Sequence, residues 1–113
     1  MITIYHNTRC RKSGEALELL ENSGKEFQIV EYLKEMLSFE ELSSIIDVLK
    51  IKPVELIRKN EAIWKEHYKG KELTDEELIT IMVENPKLIE RPIIVYHDKA
   101  IIGRPAENIK KIL

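Results

Sequence analysis

The chain has 113 residues, 43% of them hydrophobic and 34% charged, which gives one ordinary domain enough apolar material for a core and excludes a disordered polymer. Its 18 Lys and Arg against 20 Asp and Glu leave a formal net charge of −2, so it lacks the basic excess of a dedicated nucleic-acid binder. Apolar runs such as Ile93-Ile94-Val95-Tyr96 are too short to cross a bilayer, and the solitary Cys10 excludes an internal disulfide.

Met1 to Tyr5 carries the β-branched alternation of a strand and has neither the basic start nor the cleavage site of a signal peptide. A polar turn, His6-Asn7-Thr8-Arg9-Cys10, leads into a helix with Ala16, Leu17 and Leu20 on one face and Gly24 as its stop. Phe27 to Val30 reads as a second strand, so the opening is a βαβ unit with a parallel pair. Ser38-Phe39-Glu40-Glu41 has capping-box spacing and starts a helix carrying Leu42, Ile45, Ile46 and Leu49. Lys52-Pro53 predicts another helix through Leu56 and Ile57, ending near Arg58-Lys59-Asn60. Glu61 to Tyr68 forms a short helix. Thr74-Asp75-Glu76-Glu77 repeats the capping box before Leu78, Ile81 and Met82, and Asn85-Pro86 closes that helix.

Strand character returns at Pro92 to His97, turns at Asp98-Lys99, and continues over Ala100 to Ile102 as an antiparallel hairpin. Gly103-Arg104-Pro105 opens a last helix with Ile109, Ile112 and Leu113 facing inward. The expected fold is α/β, a βαβ-ββα mixed sheet in a single domain over residues 1–113, with a helical insertion at about 38–86. With no long apolar edge, a monomer is the default.

The chemistry concentrates at Cys10. A helix N-terminus presents unpaired N–H groups and partial positive charge, which shift a thiol toward the reactive thiolate, and Arg9 and Arg11 beside it act in the same direction. Cysteine is often a small core residue, but Asn7, Thr8, Arg9, Arg11, Lys12 and Ser13 make these surroundings polar, which favours a reactive thiol. Of the 18 basic residues only Arg9, Arg11, Arg58, Arg91 and Arg104 are arginine, and all five stand at element boundaries. Their planar forks suit an oxyanion, although with so few residues ordinary surface charge explains the distribution as well. Ser13 stands where a dithiol redox protein has its second cysteine, so any redox cycle through Cys10 borrows an external thiol. A free thiol also suits a reducing compartment, and a cytoplasmic location is expected. His6, His67 and His97 lack the spacing of a zinc site, and no metal or bound cofactor is expected.

Four separated blocks carry a family resemblance over essentially the whole chain. They are Ile2 to Asn7 leading to Cys10, Leu56-Ile57-Arg58-Lys59-Asn60, Glu90-Arg91-Pro92-Ile93-Ile94-Val95, and Gly103-Arg104-Pro105. In these the sequence resembles the glutaredoxin-linked arsenate reductases of the ArsC family, which have a thioredoxin-like fold with a helical insertion. The resemblance implies that Cys10 is the nucleophile, that Arg58, Arg91 and Arg104 hold the oxyanion, that His6 tunes the cysteine, and that a cis peptide precedes Pro92 beside the thiol. Asn7, Thr8, Arg9, Arg11, Lys12, Ser13 and Pro92 are then expected around the substrate, arsenate or a similar oxyanion. Glutathione and glutaredoxin are the implied electron donors. Gly14 departs from the pattern, standing where better-known members carry another arginine. Two other activities fit the same fold: an Spx-like regulator that binds RNA polymerase, and a monothiol glutaredoxin-like oxidoreductase acting on glutathionylated partners.

Overall fold

A computed structural model describes all 113 residues, which divide into two compact units: Met1–Glu35 with Arg91–Leu113, and Met36–Glu90. The first unit is built on a four-stranded sheet. Its strands are β1 (Ile2–Tyr5), β2 (Phe27–Val30), β3 (Ile93–Tyr96) and β4 (Lys99–Ile102), in the order β2-β1-β3-β4. β1 runs parallel to β2 and antiparallel to β3, and β3 pairs antiparallel with β4, so the sheet is mixed as the βαβ-ββα pattern requires. Helix α1 (Arg11–Asn22) connects the two parallel strands.

Period-two alternation places Ile2 and Ile4 on one face of β1 and Thr3 and Tyr5 on the other. Ile2, Ile4 and Ile94 are buried together with Ala16 and Leu20 of α1 and with Ile109. Phe27, Leu17 and Tyr96 close the margin of this core. Burying side chains of this size contributes about 1.5–3 kcal/mol each, so the junction between β1 and α1 stands on a rigid base.

Gly103 records how tightly the end of the sheet is packed. A Cβ there would lie 2.8 Å from Ile94 Cδ1, 3.2 Å from Pro92 Cγ and 3.3 Å from Ile109 Cγ1, while the Gly103 N–H donates to the Pro92 carbonyl at 2.9 Å. Gly103→Ala is therefore expected to overpack the core and lower stability by about 1–3 kcal/mol, read as a lower urea midpoint at unchanged slope.

The second unit is helical. It contains α2 (Phe39–Leu49), α3 (Ala62–His67) and α4 (Asp75–Glu84). Both expected capping boxes form: Ser38 with Glu41 at the start of α2, and Thr74 with Glu77 at the start of α4. α2 packs on α4 through a core that includes Leu42, Ile45, Ile46, Leu78 and Met82.

Two helices differ from the sequence expectation. The segment at Pro53 is a single 3-10 turn, Pro53–Leu56, because Ile57 leaves it in extended backbone to bridge Ile89. The C-terminal segment is also 3-10 and begins at Ala106, after Arg104 and Pro105. The hairpin turn lies one residue earlier than expected, at His97-Asp98, with Tyr96 paired to Lys99 and His97 at φ 58°. No helix is long and apolar enough to cross a membrane.

Candidate active site

Strand β1 delivers the chain to the site. The His6 N–H donates to the Val30 carbonyl at 2.9 Å, extending the parallel pairing by one residue. The Asn7 side-chain oxygen accepts from the Arg9 N–H at 2.9 Å and its carbonyl accepts from the Cys10 N–H at 3.0 Å, so a tight turn reverses the chain before α1. Cys10 is the N-cap of α1 and half-buried. Its carbonyl takes the first helical hydrogen bond, from the Gly14 N–H at 3.0 Å.

The cation at the sulfur comes from far along the chain. Arg91, buried and followed by a cis bond to Pro92, donates from Nε to Cys10 Sγ at 3.1 Å across 81 residues of sequence. Burial pushes the Cys10 thiol up, but the Ser13 amide, the Arg91 guanidinium and the Lys12 amide together outweigh it and hold the thiol below its ordinary value. No first-turn N–H makes a hydrogen bond of ordinary geometry to the Cys10 side chain, so the two amides act as oriented dipoles at the helix start. This corrects the expectation for Arg9 and Arg11. Neither contributes to the shift: Arg11 is 93% exposed in its side chain and leans 3.9 Å from Glu15, and Arg9 is exposed. A cation adjacent in sequence but projecting into water is screened, whereas a buried guanidinium in contact is not.

Ser13 is the residue whose side chain the sequence reading undervalued. It is fully buried, and its hydroxyl accepts from the Asn7 N–H at 3.1 Å while contacting His6 Nδ1 at 2.7 Å. A hydroxyl has one proton to give and two sites that accept, so Ser13 pairs with His6 Nδ1 in either tautomer of the neutral ring. Burial holds the His6 pKa below its ordinary value, with nearby Glu31 opposing, which fits the neutral ring. His6 is thus tied to the thiol's own helix turn through Ser13. The only signal for this in the sequence was the spacing Cys-x-x-Ser, which places Ser13 in the first turn without saying that its hydroxyl points inward.

The remaining expected residues fall into three settings. Thr8, Arg9 and Lys12 are exposed around the turn, and Lys12 Nζ lies 3.7 Å from Glu15. Arg104 is exposed in the same unit, and its peptide bond to Pro105 is cis. Arg58 belongs to the helical unit, where its guanidinium donates to Glu61 at 2.9 Å and lies 3.7 Å from Glu90. Beside Cys10, an open pocket of about 710 Å³ is lined by Arg9, Arg11, Gly14 and Glu18, among others. No group of three or more His, Cys, Asp or Glu side chains is gathered closely enough to hold a metal ion.

Known proteins are similar to this chain over nearly its whole length, in sequence and in fold. An arsenate reductase of Haemophilus influenzae is 41% identical over 99% of this chain and 98% of its own length. Another, of Escherichia coli, is 38% identical over 99% of this chain and 80% of its own. The solved structure of an arsenate reductase from Vibrio cholerae superposes with a TM-score of 0.94 at 43% identity, covering 99% of this chain and 97% of that one. The ArsC family profile matches residues 5–112, and the chain, with its thioredoxin-like fold, belongs to the ArsC family.

Proposed function

We propose that this protein reduces arsenate to arsenite, with Cys10 as nucleophile and an external thiol resolving the intermediate. The observation that carries the reading is the Arg91 Nε–H held 3.1 Å from Cys10 Sγ at the start of α1. This arrangement stabilises a thiolate and also offers a cation to an incoming oxyanion, offsetting the repulsion between two anions.

In this mechanism the Cys10 thiolate attacks arsenic and a hydroxyl leaves as water, forming a thiol–arsenate adduct. A glutathione thiolate then attacks the Cys10 sulfur. The sulfur–arsenic bond breaks with its electron pair on arsenic, which departs as arsenite, and a mixed disulfide remains on Cys10. Glutaredoxin clears that disulfide. Arg91 and Arg104 are offered from the unit that carries Cys10, and the first-turn amides complete the anion cradle. The assignment of Arg58 to the same oxyanion rests on the sequence resemblance, since Glu61 and Glu90 already engage it.

A coupled assay with arsenate, glutathione, glutaredoxin, glutathione reductase and NADPH tests the reading. Arsenate-dependent NADPH loss is expected, with phosphate competing against arsenate without being reduced. NADPH loss on a glutathionylated protein without arsenate would mark a monothiol glutaredoxin-like enzyme. No consumption, together with capture of RNA polymerase, would mark a regulator.

A further inference from the structure

Ser13 meets the site through two different groups. Burial disfavours the Cys10 thiolate, and the Ser13 amide, in the first turn of α1, is foremost among the groups that offset it. The Ser13 hydroxyl is engaged elsewhere: it lies 2.7 Å from His6 Nδ1 at the end of β1 and accepts from the Asn7 N–H at 3.1 Å. A serine inside a helix commonly turns its hydroxyl to water or to a carbonyl one turn back. Ser13 does neither, because it is fully buried and both partners precede the helix. Asn7 completes the circuit, since its carbonyl accepts the Cys10 N–H at 3.0 Å. The turn that carries Cys10 is therefore fastened through Asn7 to Cys10 itself and to the Ser13 hydroxyl. Buried polar groups joined in this way are costly to leave unpaired.

We propose that Ser13 is a positioning residue for Cys10: its hydroxyl fastens the turn between β1 and α1 to the first helical turn, which keeps the Ser13 amide aligned with the sulfur. The inference rests on the reading of Cys10 as a nucleophile. Without the hydroxyl, His6 and Asn7 lose a shared partner, the turn gains freedom, and the amide does less to hold the sulfur ionised. The Arg91 contact is not touched by this change, so part of the activation persists.

Ser13→Ala tests this in the full chain. Alanine fits the buried site and is the best helix former, so the variant folds, with a lower melting temperature because two hydrogen bonds are lost. Ala16→Gly is the control: it weakens the same helix at another buried position without removing a member of the network. Iodoacetamide alkylation of the single cysteine is followed against pH in the native protein and both variants, below their melting temperatures. Ser13→Ala is expected to displace the midpoint toward alkaline pH. Below the midpoint, where the rate tracks the thiolate fraction, alkylation slows about fivefold, while Ala16→Gly follows the native profile. A Ser13→Ala profile that coincides with the native one, or an equal displacement in Ala16→Gly, overturns the positioning role. A second measurement needs no variant. The Asn7 amide is expected to be protected from deuterium exchange about tenfold or more relative to the amide of exposed Thr8, and equal protection also overturns the role. A native profile with the midpoint of an ordinary cysteine overturns instead the reading of Cys10 on which the inference rests.

Discussion

Cys10→Ser is expected to abolish arsenate turnover, lowering kcat by about 10⁴-fold or more, while the protein folds as well as the native chain or better. The two halves of this result have separate causes. A serine hydroxyl is not appreciably ionised near neutral pH, and the amides and guanidinium that stabilise a thiolate cannot compensate for so much higher an intrinsic pKa. The fold, in contrast, gains from the exchange. Cys10 is the N-cap of α1 and its side chain makes no ordinary capping hydrogen bond, whereas serine is among the preferred N-cap residues. Thermal melting of the variant should be equal to or above that of the native protein, and circular dichroism should be unchanged. Substantial residual arsenate reduction in Cys10→Ser would remove this sulfur from the mechanism. Loss of activity accompanied by a collapsed melting curve would leave the chemical role undecided, and the capping argument makes that outcome the one not expected.

Much of this arrangement was legible in the sequence because its signals are local. β2 spans Phe27–Val30 and α2 begins after Ser38 as predicted, since a short strand pattern and a capping box report their own neighbourhoods. The two helices that differ do so because of events outside the local pattern. Ile57 is drawn out of the turn at Pro53 by its bridge to Ile89, and the C-terminal helix waits until the chain has passed Gly103 and Pro105. The site divides in the same way. That Cys10 would sit at a helix start followed from the polar turn before it. The source of its positive charge did not follow, because proximity in sequence pointed to Arg9 and Arg11, whereas the contact comes from Arg91. Periodicity also says nothing of hydroxyl direction, which is why the inward turn of Ser13 toward His6 is visible only in the folded chain.

Arg91 provides the second large effect, and it separates activation of the thiol from binding of the anion. Arg91→Ala removes both the hydrogen bond and the nearby charge that lower the Cys10 pKa, while the burial that raises it is relieved only in part. The thiol therefore titrates at higher pH than in the native protein. Because only the thiolate reacts, the rate of iodoacetamide alkylation rises with pH through the thiol pKa. The native profile should have its midpoint below that of an ordinary cysteine, and the variant profile should lie displaced toward alkaline pH. Arsenate turnover at neutral pH should fall by about 10²-fold or more, since the same guanidinium is asked to stabilise charge on the oxyanion. Raising the pH distinguishes the two contributions. If Arg91 served only to ionise the sulfur, alkaline pH would restore turnover in full; if it also holds the oxyanion, the KM for arsenate stays elevated after the thiol is ionised. Arg91→Lys keeps the charge but loses the planar fork, and is expected to recover part of the alkylation profile and little of the arsenate affinity. A native alkylation profile and a native KM in Arg91→Ala would together show that the 3.1 Å contact has no part in the chemistry.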